Sequence, residues 1–218
     1  MRDVQSAIAL ACDGVRARYG GIEVLHGVRL ALAYGTFSAL VGPNGAGKTT
    51  LLDWCAGAAT EASAAEGLLR LDGGEATAWS AARRTKAGLR YVPFERNVFP
   101  GLTVLDNLRA TGSAAALDLF PELARLATRP AGVLSGGERQ LLAVACTLCG
   151  RSRILLLDEP THGLAPALVD RVLAELARTA REDGRAVLIA EPLPEKVAQH
   201  ADFLWPLERG LRLPALGA

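Results

Sequence analysis

The sequence predicts an α/β fold built on a mainly parallel sheet. Short apolar runs at residues 37–41, 154–157 and 186–190 have the length and composition of buried strands. Segments at residues 48–56 and 167–181 place apolar side chains at helical spacing and alternate with these strands along the chain. Strands that alternate with helices are typical of a parallel sheet covered on both faces.

The N-terminal region predicts an antiparallel β subdomain. Residues 4–19 and 22–33 each alternate loosely between apolar and polar side chains, and Tyr19-Gly20-Gly21 supplies a turn between them. Two further strands are predicted at residues 66–71 and 89–93. The first of these two strands is followed by a turn at Asp72-Gly73-Gly74.

Helical patterns dominate the middle of the chain. Helices are predicted at residues 103–108, 114–126 and 137–149. Thr103 is a suitable N-cap for the first of them, with Asp106 three residues later. Residues 95–133 contain no obvious core strand. We therefore expect a single domain over residues 1–218, with a small helical subdomain at approximately 95–150 inserted into the α/β core.

Composition narrows the class of protein. The chain has 24 Lys and Arg against 23 Asp and Glu, a net charge of +1, which argues against a protein that binds nucleic acid through a broad basic face.

No apolar run reaches the roughly 18 to 20 residues that cross a bilayer. The opening MRDVQSAIALACDG is interpreted as a first strand, not a signal peptide. We expect a soluble chain whose membrane role comes through a partner.

The cysteines predict packing rather than chemistry. Cys146 and Cys149 form a CxxC, a spacing that metal and redox sites use. Both fall in the apolar helical pattern at 137–149, with no second CxxC and no spaced histidine pair beside them. We interpret them as small core residues and expect the free thiols to match a reducing cytosol.

A glycine-rich loop after the strand at 37–41 predicts a phosphate site. Gly42-Pro-Asn-Gly-Ala-Gly-Lys48-Thr49 matches GxxxxGK[ST], and a predicted helix follows it. Backbone N–H groups must curl around phosphate oxygens there, and side chains would block their approach. Lys48 can reach the β- and γ-phosphates, and the Thr49 hydroxyl can bind Mg²⁺. The predicted phosphate-binding residues are Gly42, Asn44, Gly45, Ala46, Gly47, Lys48, Thr49 and Thr50.

Two carboxylates follow the apolar strand at 154–157. Asp158 and Glu159 emerge at its C-terminal end, where open parallel sheets bind ligands. Asp158 is predicted to hold the metal, and Glu159 is placed to polarise an attacking water. An acidic pair that only ends a strand is the structural alternative, and the preceding phosphate loop disfavours it.

The segment Leu134-Ser-Gly-Gly-Glu-Arg-Gln140 predicts the start of a helix. Ser135 is the N-cap and Glu138 completes a capping box three residues later. An exposed helix N-terminus with bare glycine backbone can also present N–H groups to a phosphate. Both interpretations are consistent with the same residues.

The order of these three motifs resembles that of the ATP-binding-cassette (ABC) ATPases, and the resemblance covers nearly the whole chain. Two segments look like the ATPase subunits of branched-chain amino-acid importers: residues 97–104 (NVFPGLTV) and 163–166 (GLAP). The resemblance implies a P-loop NTPase fold and hydrolysis of Mg-ATP with Glu159 and Lys48 as catalytic residues. It implies that Tyr19 stacks on adenine and that residues 163–166 touch a second subunit.

In this family, two ATPase subunits face each other head to tail. By that resemblance Ser135, Gly136 and Gly137 would serve the ATP of the partner subunit, whether the dimer is of identical or different chains. Transmembrane permease subunits are the other implied partners, with the chain on the cytoplasmic face of the membrane and no nucleic-acid partner.

The chain departs from the family pattern at two polar positions. Phe94 stands where the family has Gln, and Pro192 stands where it usually has His, or Gln in some importer subunits; neither side chain can hydrogen-bond a water or a phosphate. We therefore expect near-normal ATP binding with slow hydrolysis. His200 is assigned to an apparent helix. For His162 there are two interpretations, a place near the site or a loop at the subunit contact, and we favour the loop.

Two other classes of function compete with transport. The first is a largely non-catalytic regulatory or structural cassette, which binds ATP and completes a partner's site; Phe94 and Pro192 favour it, and Glu159 and the complete phosphate loop disfavour it. The second is a soluble cassette that acts on nucleic acid or ribosomes. A single cassette with near-zero net charge disfavours this last class.

Overall fold

The computed structural model describes residues 8–58, 64–95, 97–111, 116–212 and 216–217. In chain order its elements are β1 (Ile8–Tyr19), β2 (Ile22–Ala33), β3 (Phe37–Val41), α1 (Lys48–Ala56), β4 (Ala64–Leu71), β5 (Gly74–Glu75), α2 (Ala81–Lys86), β6 (Leu89–Val92), α3 (Val104–Ala110), α4 (Ala116–Leu119), α5 (Pro121–Ala124), a 3₁₀ turn (Ala131–Val133), α6 (Gly136–Leu148), β7 (Ile154–Asp158), α7 (Pro166–Asp183), β8 (Ala186–Glu191), α8 (Pro194–Val197), β9 (Phe203–Glu208), β10 (Leu211–Arg212) and β11 (Leu216–Gly217).

A largely parallel sheet forms the centre of the molecule, as the sequence predicts. Its strand order is β10-β9-β3-β8-β7-β6, and β9, β3, β8, β7 and β6 pair in parallel. β10 and β11 pair with β9 in antiparallel orientation. Every residue of β3, β7 and β8 is buried, because helices or a second sheet cover both faces.

The second sheet is antiparallel, with the order β2-β1-β4-β5. Gly20 and Gly21 connect β1 to β2 with φ of 53° and 88°, a combination that tight hairpin turns require. This sheet and α1 cover one face of the parallel sheet, and the helices from α3 to α7 cover the other. The predicted start of the first strand, residues 4–7, lies outside the described residues.

The predicted bounds of the helices agree with the structure at some positions and differ from it at others. Thr103 caps α3 as expected, accepting a hydrogen bond from the Asp106 N–H. The single helix predicted at 114–126 is wrong, because the described part divides into α4 and α5 at Pro121, whose nitrogen has no hydrogen to donate. His200 lies in the turn after α8, not in a helix, and the strand β9 was not predicted.

The helices test the sequence-based expectations for the CxxC cysteines and for membrane-spanning segments. Cys146 is buried within α6, where it packs in the core, and Cys149 is the C-cap of that helix. Within the described residues, no helix combines the length and the apolar composition that crossing a bilayer needs.

The buried guanidinium of Arg84 fixes the C-terminal end of α1. It donates hydrogen bonds to the carbonyls of Trp54 and Cys55 in the last turn of that helix, at 2.6 and 2.9 Å. It also donates to the carbonyls of Thr77 and Trp79 at 2.8 and 3.1 Å. Since α1 begins at the phosphate loop, Arg84 supports the site from the far end of the helix.

Replacing Arg84 with methionine should lower the free energy of unfolding by about 2–4 kcal/mol, because buried carbonyls lose their donors. Chemical denaturation of both proteins measures the difference. The matched control is Arg83→Met, since Arg83 is exposed and packs over the Trp79 ring at 4.3 Å. That control should cost less than about 1 kcal/mol, and an equal loss in the two variants would contradict the role assigned to Arg84.

Candidate functional site

The glycine-rich loop lies between β3 and α1, at the carboxyl edge of the parallel sheet. Two of its glycines are required by close packing: a Cβ on Gly42 would lie 2.0 Å from the Leu207 carbonyl oxygen, and one on Gly47 would lie 2.7 Å from Leu25. Gly47 also has φ of 98°, which side-chain-bearing residues rarely adopt. The exposed part of the loop, at Asn44 and Gly45, is open to a ligand.

Lys48 lies within this loop, where its side chain is folded back on the backbone. Its Nζ donates to the carbonyl oxygens of Gly42 and Pro43 at 2.7 and 3.1 Å. Burial lowers the pKa of Lys48, and the nearby carboxylates of Glu159, Asp158 and Glu191 act in the opposite direction. An ammonium group is therefore held over the loop, at a point where a phosphate would meet it.

Asp158 and Thr49 meet across the site. The Thr49 hydroxyl donates to Asp158 Oδ2 at 2.7 Å. Asp158 Oδ1 is buried and has no hydrogen-bond partner among the described residues. Burial raises the pKa of Asp158 to about 6, with the hydrogen bond from Thr49 opposing the shift. An orphaned carboxylate oxygen next to a hydroxyl is the oxygen-rich donor set that Mg²⁺ prefers, so these two residues fit that ion.

Glu159 follows directly, with its backbone in an unusual conformation. Its φ is 45°, in the left-handed region, which costs a non-glycine residue of the order of 1–3 kcal/mol. Three hydrogen bonds hold the residue there. Its N–H donates to the Ala190 carbonyl at 2.9 Å, and its carbonyl accepts from the His162 N–H at 3.1 Å and from Gln140 Nε2 at 3.2 Å. The carboxylate therefore leaves the strand in a fixed direction, beside Asp158.

Tyr19 lies at the end of β1, near the start of α1. Its hydroxyl is 3.4 Å from Thr50 Oγ1, and Thr50 is buried in the first turn of α1. The antiparallel sheet thus places an aromatic ring beside the first turn of α1.

The third motif makes its contacts within its own helix and with the loop after β7. Ser135 caps α6 with the predicted capping box: its hydroxyl accepts from the Glu138 N–H at 3.3 Å, and Glu138 Oε2 accepts from the Ser135 N–H at 2.7 Å. Gly137 packs so closely on the Gly163 carbonyl that a Cβ would lie 2.6 Å from that oxygen. No hydrogen bond in the described part of the chain joins Ser135, Gly136 or Gly137 to residues 42–49.

The two departures from the family pattern are placed differently. Phe94, half-exposed after β6, packs edge-on against the ring of His162, with centroids 4.9 Å apart. Pro192 follows β8 and lines an apolar cleft with Gly42, Pro43 and Asn44 of the phosphate loop. Both positions therefore adjoin the candidate site, and both present apolar groups to it.

Sequence reasoning missed two polar residues that support the site. Gln140, buried in α6, donates to the Glu159 carbonyl and accepts from Asn97 Nδ2 at 2.9 Å. Glu191, buried at the end of β8, accepts from the N–H and the hydroxyl of Thr161 at 3.0 and 2.8 Å, and burial raises the pKa of Glu191. Glu191 can be recognised in the sequence as a carboxylate that ends an apolar strand. Nothing in the sequence marks Gln140 beyond its place in the third motif.

A phosphate loop, a carboxylate pair on the adjoining strand edge and a separate glycine-rich helix start define a nucleotide-binding cassette. The family model described as ABC transporter matches residues 25–162. The chain belongs to this family, as one of its ATPase domains, and members of the family generally hydrolyse ATP.

The similar proteins of known sequence include several transport ATPases. The probable branched-chain amino acid transport ATP-binding protein LivF of Archaeoglobus fulgidus is 36% identical over 207 residues, covering 90% of this chain and 86% of the relative. BraG of Pseudomonas aeruginosa, a high-affinity branched-chain amino acid transport ATP-binding protein, is 34% identical over 212 residues, covering 92% and 89%. The lipoprotein-releasing system protein LolD of Novosphingobium aromaticivorans is 34% identical over 206 residues, covering 87% and 90%.

The fold matches that of solved ABC cassettes. A dimeric post-hydrolysis cassette bound to ADP and phosphate superposes with a TM-score of 0.82 at 24% identity, covering 95% of this chain and 98% of that one. The parallel sheet with its antiparallel companion is therefore the ABC ATPase fold.

The raised pKa of Asp158 predicts a pH-dependent effect on stability. The folded protein holds this proton up to about pH 6, whereas the unfolded chain releases it near the ordinary value of 3.8. Folding is therefore penalised above about pH 6, and the penalty vanishes below about pH 4. Asp158→Asn should raise the unfolding free energy of the nucleotide-free protein by roughly 2–3 kcal/mol at pH 7.5.

Thermal and chemical unfolding at pH 4 and pH 7.5 measure this difference. The same variant should lose the extra stability that Mg²⁺ would add to the ATP-bound wild-type protein, since it lacks the carboxylate expected to hold the metal. Asp170→Asn, on an exposed position of α7, is the control and should change neither quantity. An Asp158→Asn protein that is less stable at pH 7.5, or that still responds to Mg²⁺, would contradict the assignment.

Proposed function

We propose that the chain is the ATP-hydrolysing subunit of a membrane transporter and that it works as one of a pair of such subunits. The hydrogen bond between Thr49 and Asp158, with a free carboxylate oxygen beside Glu159, carries the proposal. It joins a phosphate loop to a metal-binding carboxylate and to a second carboxylate that can polarise water. Thr49 and Asp158 would hold Mg²⁺, which neutralises phosphate charge when bound.

ATP would lie along the loop and the start of α1. The proposed contacts to its phosphates are Gly42, Asn44, Gly45, Ala46, Gly47, Lys48, Thr49 and Thr50. Tyr19 would stack on the adenine ring. Lys48 and Glu159 would act in the reaction itself, Lys48 by stabilising charge on the phosphates and Glu159 by orienting the attacking water.

The contacts of the third motif support a second subunit. Ser135, Gly136 and Gly137 offer bare backbone N–H groups at a helix N-terminus, and such a terminus binds anions. Because these residues make no hydrogen bond to the chain's own loop within the described residues, the phosphate they suit is one held by a partner. The proposed partner is a second ABC ATPase subunit, identical or different.

An apolar surface patch supports a permease partner. Phe99, Leu102 and Val133 are exposed large apolar side chains, and Phe94 adjoins them along the chain. Hydrogen bonds of 2.8–2.9 Å hold residues 100–102 against 131–132, so the patch is one surface. Such patches mark interaction sites. The chain would lie on the cytoplasmic face of the membrane through this contact, with helices α3 to α6 acting as the inserted helical subdomain of a single domain over residues 1–218.

The identity of the solute rests on the relatives. The names of LivF and BraG state branched-chain amino acid transport, and their matches cover most of both chains. We therefore propose import of branched-chain amino acids or a similar small solute. LolD, at comparable identity, serves a lipoprotein-releasing system, so lipoprotein release is the alternative outcome of the transport test.

Hydrolysis at this chain's own site is proposed to be slow. Removing one donor to a transition state typically lowers the rate by about 10²- to 10³-fold, and Phe94 and Pro192 both lack a donor. The second candidate function, favoured by these same two residues, is a largely non-catalytic cassette that binds ATP and completes a partner's site.

Turnover of Mg-ATP by the purified chain, with ATP binding measured on the same sample, tests the first function against the second. Wild-type turnover should exceed that of Glu159→Gln by at least about tenfold, because the carboxylate acts on the attacking water. ATP affinity should be equal in the two proteins, since Glu159 does not cradle phosphate. Equal turnover with tight ATP binding would instead establish the non-catalytic cassette.

Co-purification with the permease chains of the same organism tests the partner and the solute. Val133→Asp should lower recovery of the complex at least about tenfold, because a buried charge in an apolar contact costs about 2 kcal/mol or more. Ile22→Asp, at an exposed apolar position on the antiparallel sheet, is the matched control and should have no effect. Uptake of labelled leucine by vesicles holding the complex identifies amino-acid import; release of lipoprotein without uptake would redirect the assignment.

A further inference from the structure

The imidazole of His162 adjoins the carboxylate of Glu159 in this protein. Its Nδ1 lies 3.5 Å from Glu159 Oε2. We propose that His162 is a positioning residue for Glu159, which supports the carboxylate where the chain lacks polar side chains at 94 and 192. The inference rests on the proposed function, in which Glu159 acts on the attacking water.

Backbone hydrogen bonds hold His162 close to Glu159. His162 closes a tight turn by donating its N–H to the Glu159 carbonyl at 3.1 Å. Inside that turn, Thr161 is held by two hydrogen bonds to the buried Glu191 carboxylate, at the end of β8. Since β8 is a central strand of the sheet, the turn that carries His162 is anchored to the most buried part of the fold.

The ring of Phe94 fixes the direction of the imidazole. The two rings meet edge to face, with centroids 4.9 Å apart and planes at 88°. This is a favoured aromatic arrangement, and it restricts rotation of the histidine side chain. Phe94 cannot itself hydrogen-bond a water, but it packs on a neighbouring ring that carries hydrogen-bonding nitrogens. The apolar side chain at position 94 therefore packs on a polar one that reaches Glu159.

The surroundings of the Glu159 carboxylate favour a hydrogen-bond donor beside it. The carboxylate stands next to the buried carboxylate of Asp158, and like charges at this spacing repel. Lys48, the nearby cation, is engaged with the carbonyls of Gly42 and Pro43. The imidazole nitrogen of His162, 3.5 Å from Glu159 Oε2, is the nitrogen placed to support that carboxylate. A donor on Nδ1 would favour one rotamer of Glu159 and leave Oε1 free for water.

His162 is also accessible from outside. It lines a cleft of ≈ 760 Å³ together with Phe94, Gln140 and Gly163. A histidine that only contacted a second subunit would be equally accessible. Measurements of turnover and of dimerisation therefore separate that role from support of Glu159.

Imidazole NMR of the full-length chain tests the contact without nucleotide. The protein has only His26, His162 and His200, so three pairs of ring ¹⁵N resonances are assigned by single His→Ala variants. The contact predicts that the neutral His162 ring carries its proton on Nδ1, because the partner of one nitrogen sets the tautomer. Glu159→Gln should move the His162 resonances and leave the other two unchanged; unmoved His162 resonances would overturn the proposal.

Steady-state kinetics tests the positioning role. His162→Leu should lower kcat by about tenfold or more, because a carboxylate that loses its support orients the attacking water less well, with KM and ATP affinity within about twofold of wild type. His162→Asn should retain most of the activity, since its amide nitrogen falls near the Nδ1 position. His200→Leu, in the turn after α8, is the matched control and should equal wild type. A kcat unchanged by His162→Leu overturns the proposal.

A dimerisation assay separates the positioning role from a subunit contact. In the Glu159→Gln background, adding His162→Leu should leave ATP-dependent dimerisation unchanged, as measured by light scattering. Loss of the dimer would assign His162 to the subunit interface and overturn its role toward Glu159. If wild-type turnover equals that of Glu159→Gln, the proposed function fails, and the NMR comparison still decides whether His162 contacts Glu159.

Discussion

The hydrogen bond between Thr49 and Asp158 joins residues that are 109 positions apart in the chain, and the strand order makes it possible. β8 lies between β3 and β7, so the carboxyl ends of three parallel strands meet at one edge. The phosphate loop leaves β3, two carboxylates leave β7, and Glu191 ends β8. Burial of these strands on both faces holds them in register, because a slip of one residue would move each polar end group away from the edge.

Around that edge, the site is held together by backbone contacts as much as by side chains. The Glu159 peptide is bonded to β8 through Ala190 and to α6 through Gln140. Gln140 also bonds to Asn97, in the segment that follows β6. One buried amide side chain thus connects the helix of the third motif, the loop near the apolar surface patch and the residue that follows β7.

Much of this could be predicted from the sequence, where the signal is local. The capping box at Ser135 depends on residues three apart, and the phosphate loop on glycines within one turn, so both could be identified from spacing alone. Pro121 is also a local signal, and the helix predicted through it is wrong because proline has no N–H with which to continue the hydrogen bonds of α4. Contacts such as Glu191 with Thr161 join elements 30 residues apart and depend on strand order, which the pattern of apolar residues does not specify.

The left-handed backbone of Glu159 has a consequence for how such a protein can change over time. At φ of 45° glycine is free of strain and asparagine suffers less than other residues, yet neither side chain can act as a base. Replacing Glu159 by glycine would therefore relieve backbone strain and remove the carboxylate in the same step. At this position, stability and the presence of a carboxylate are opposed, and the glutamate keeps the carboxylate at a conformational cost.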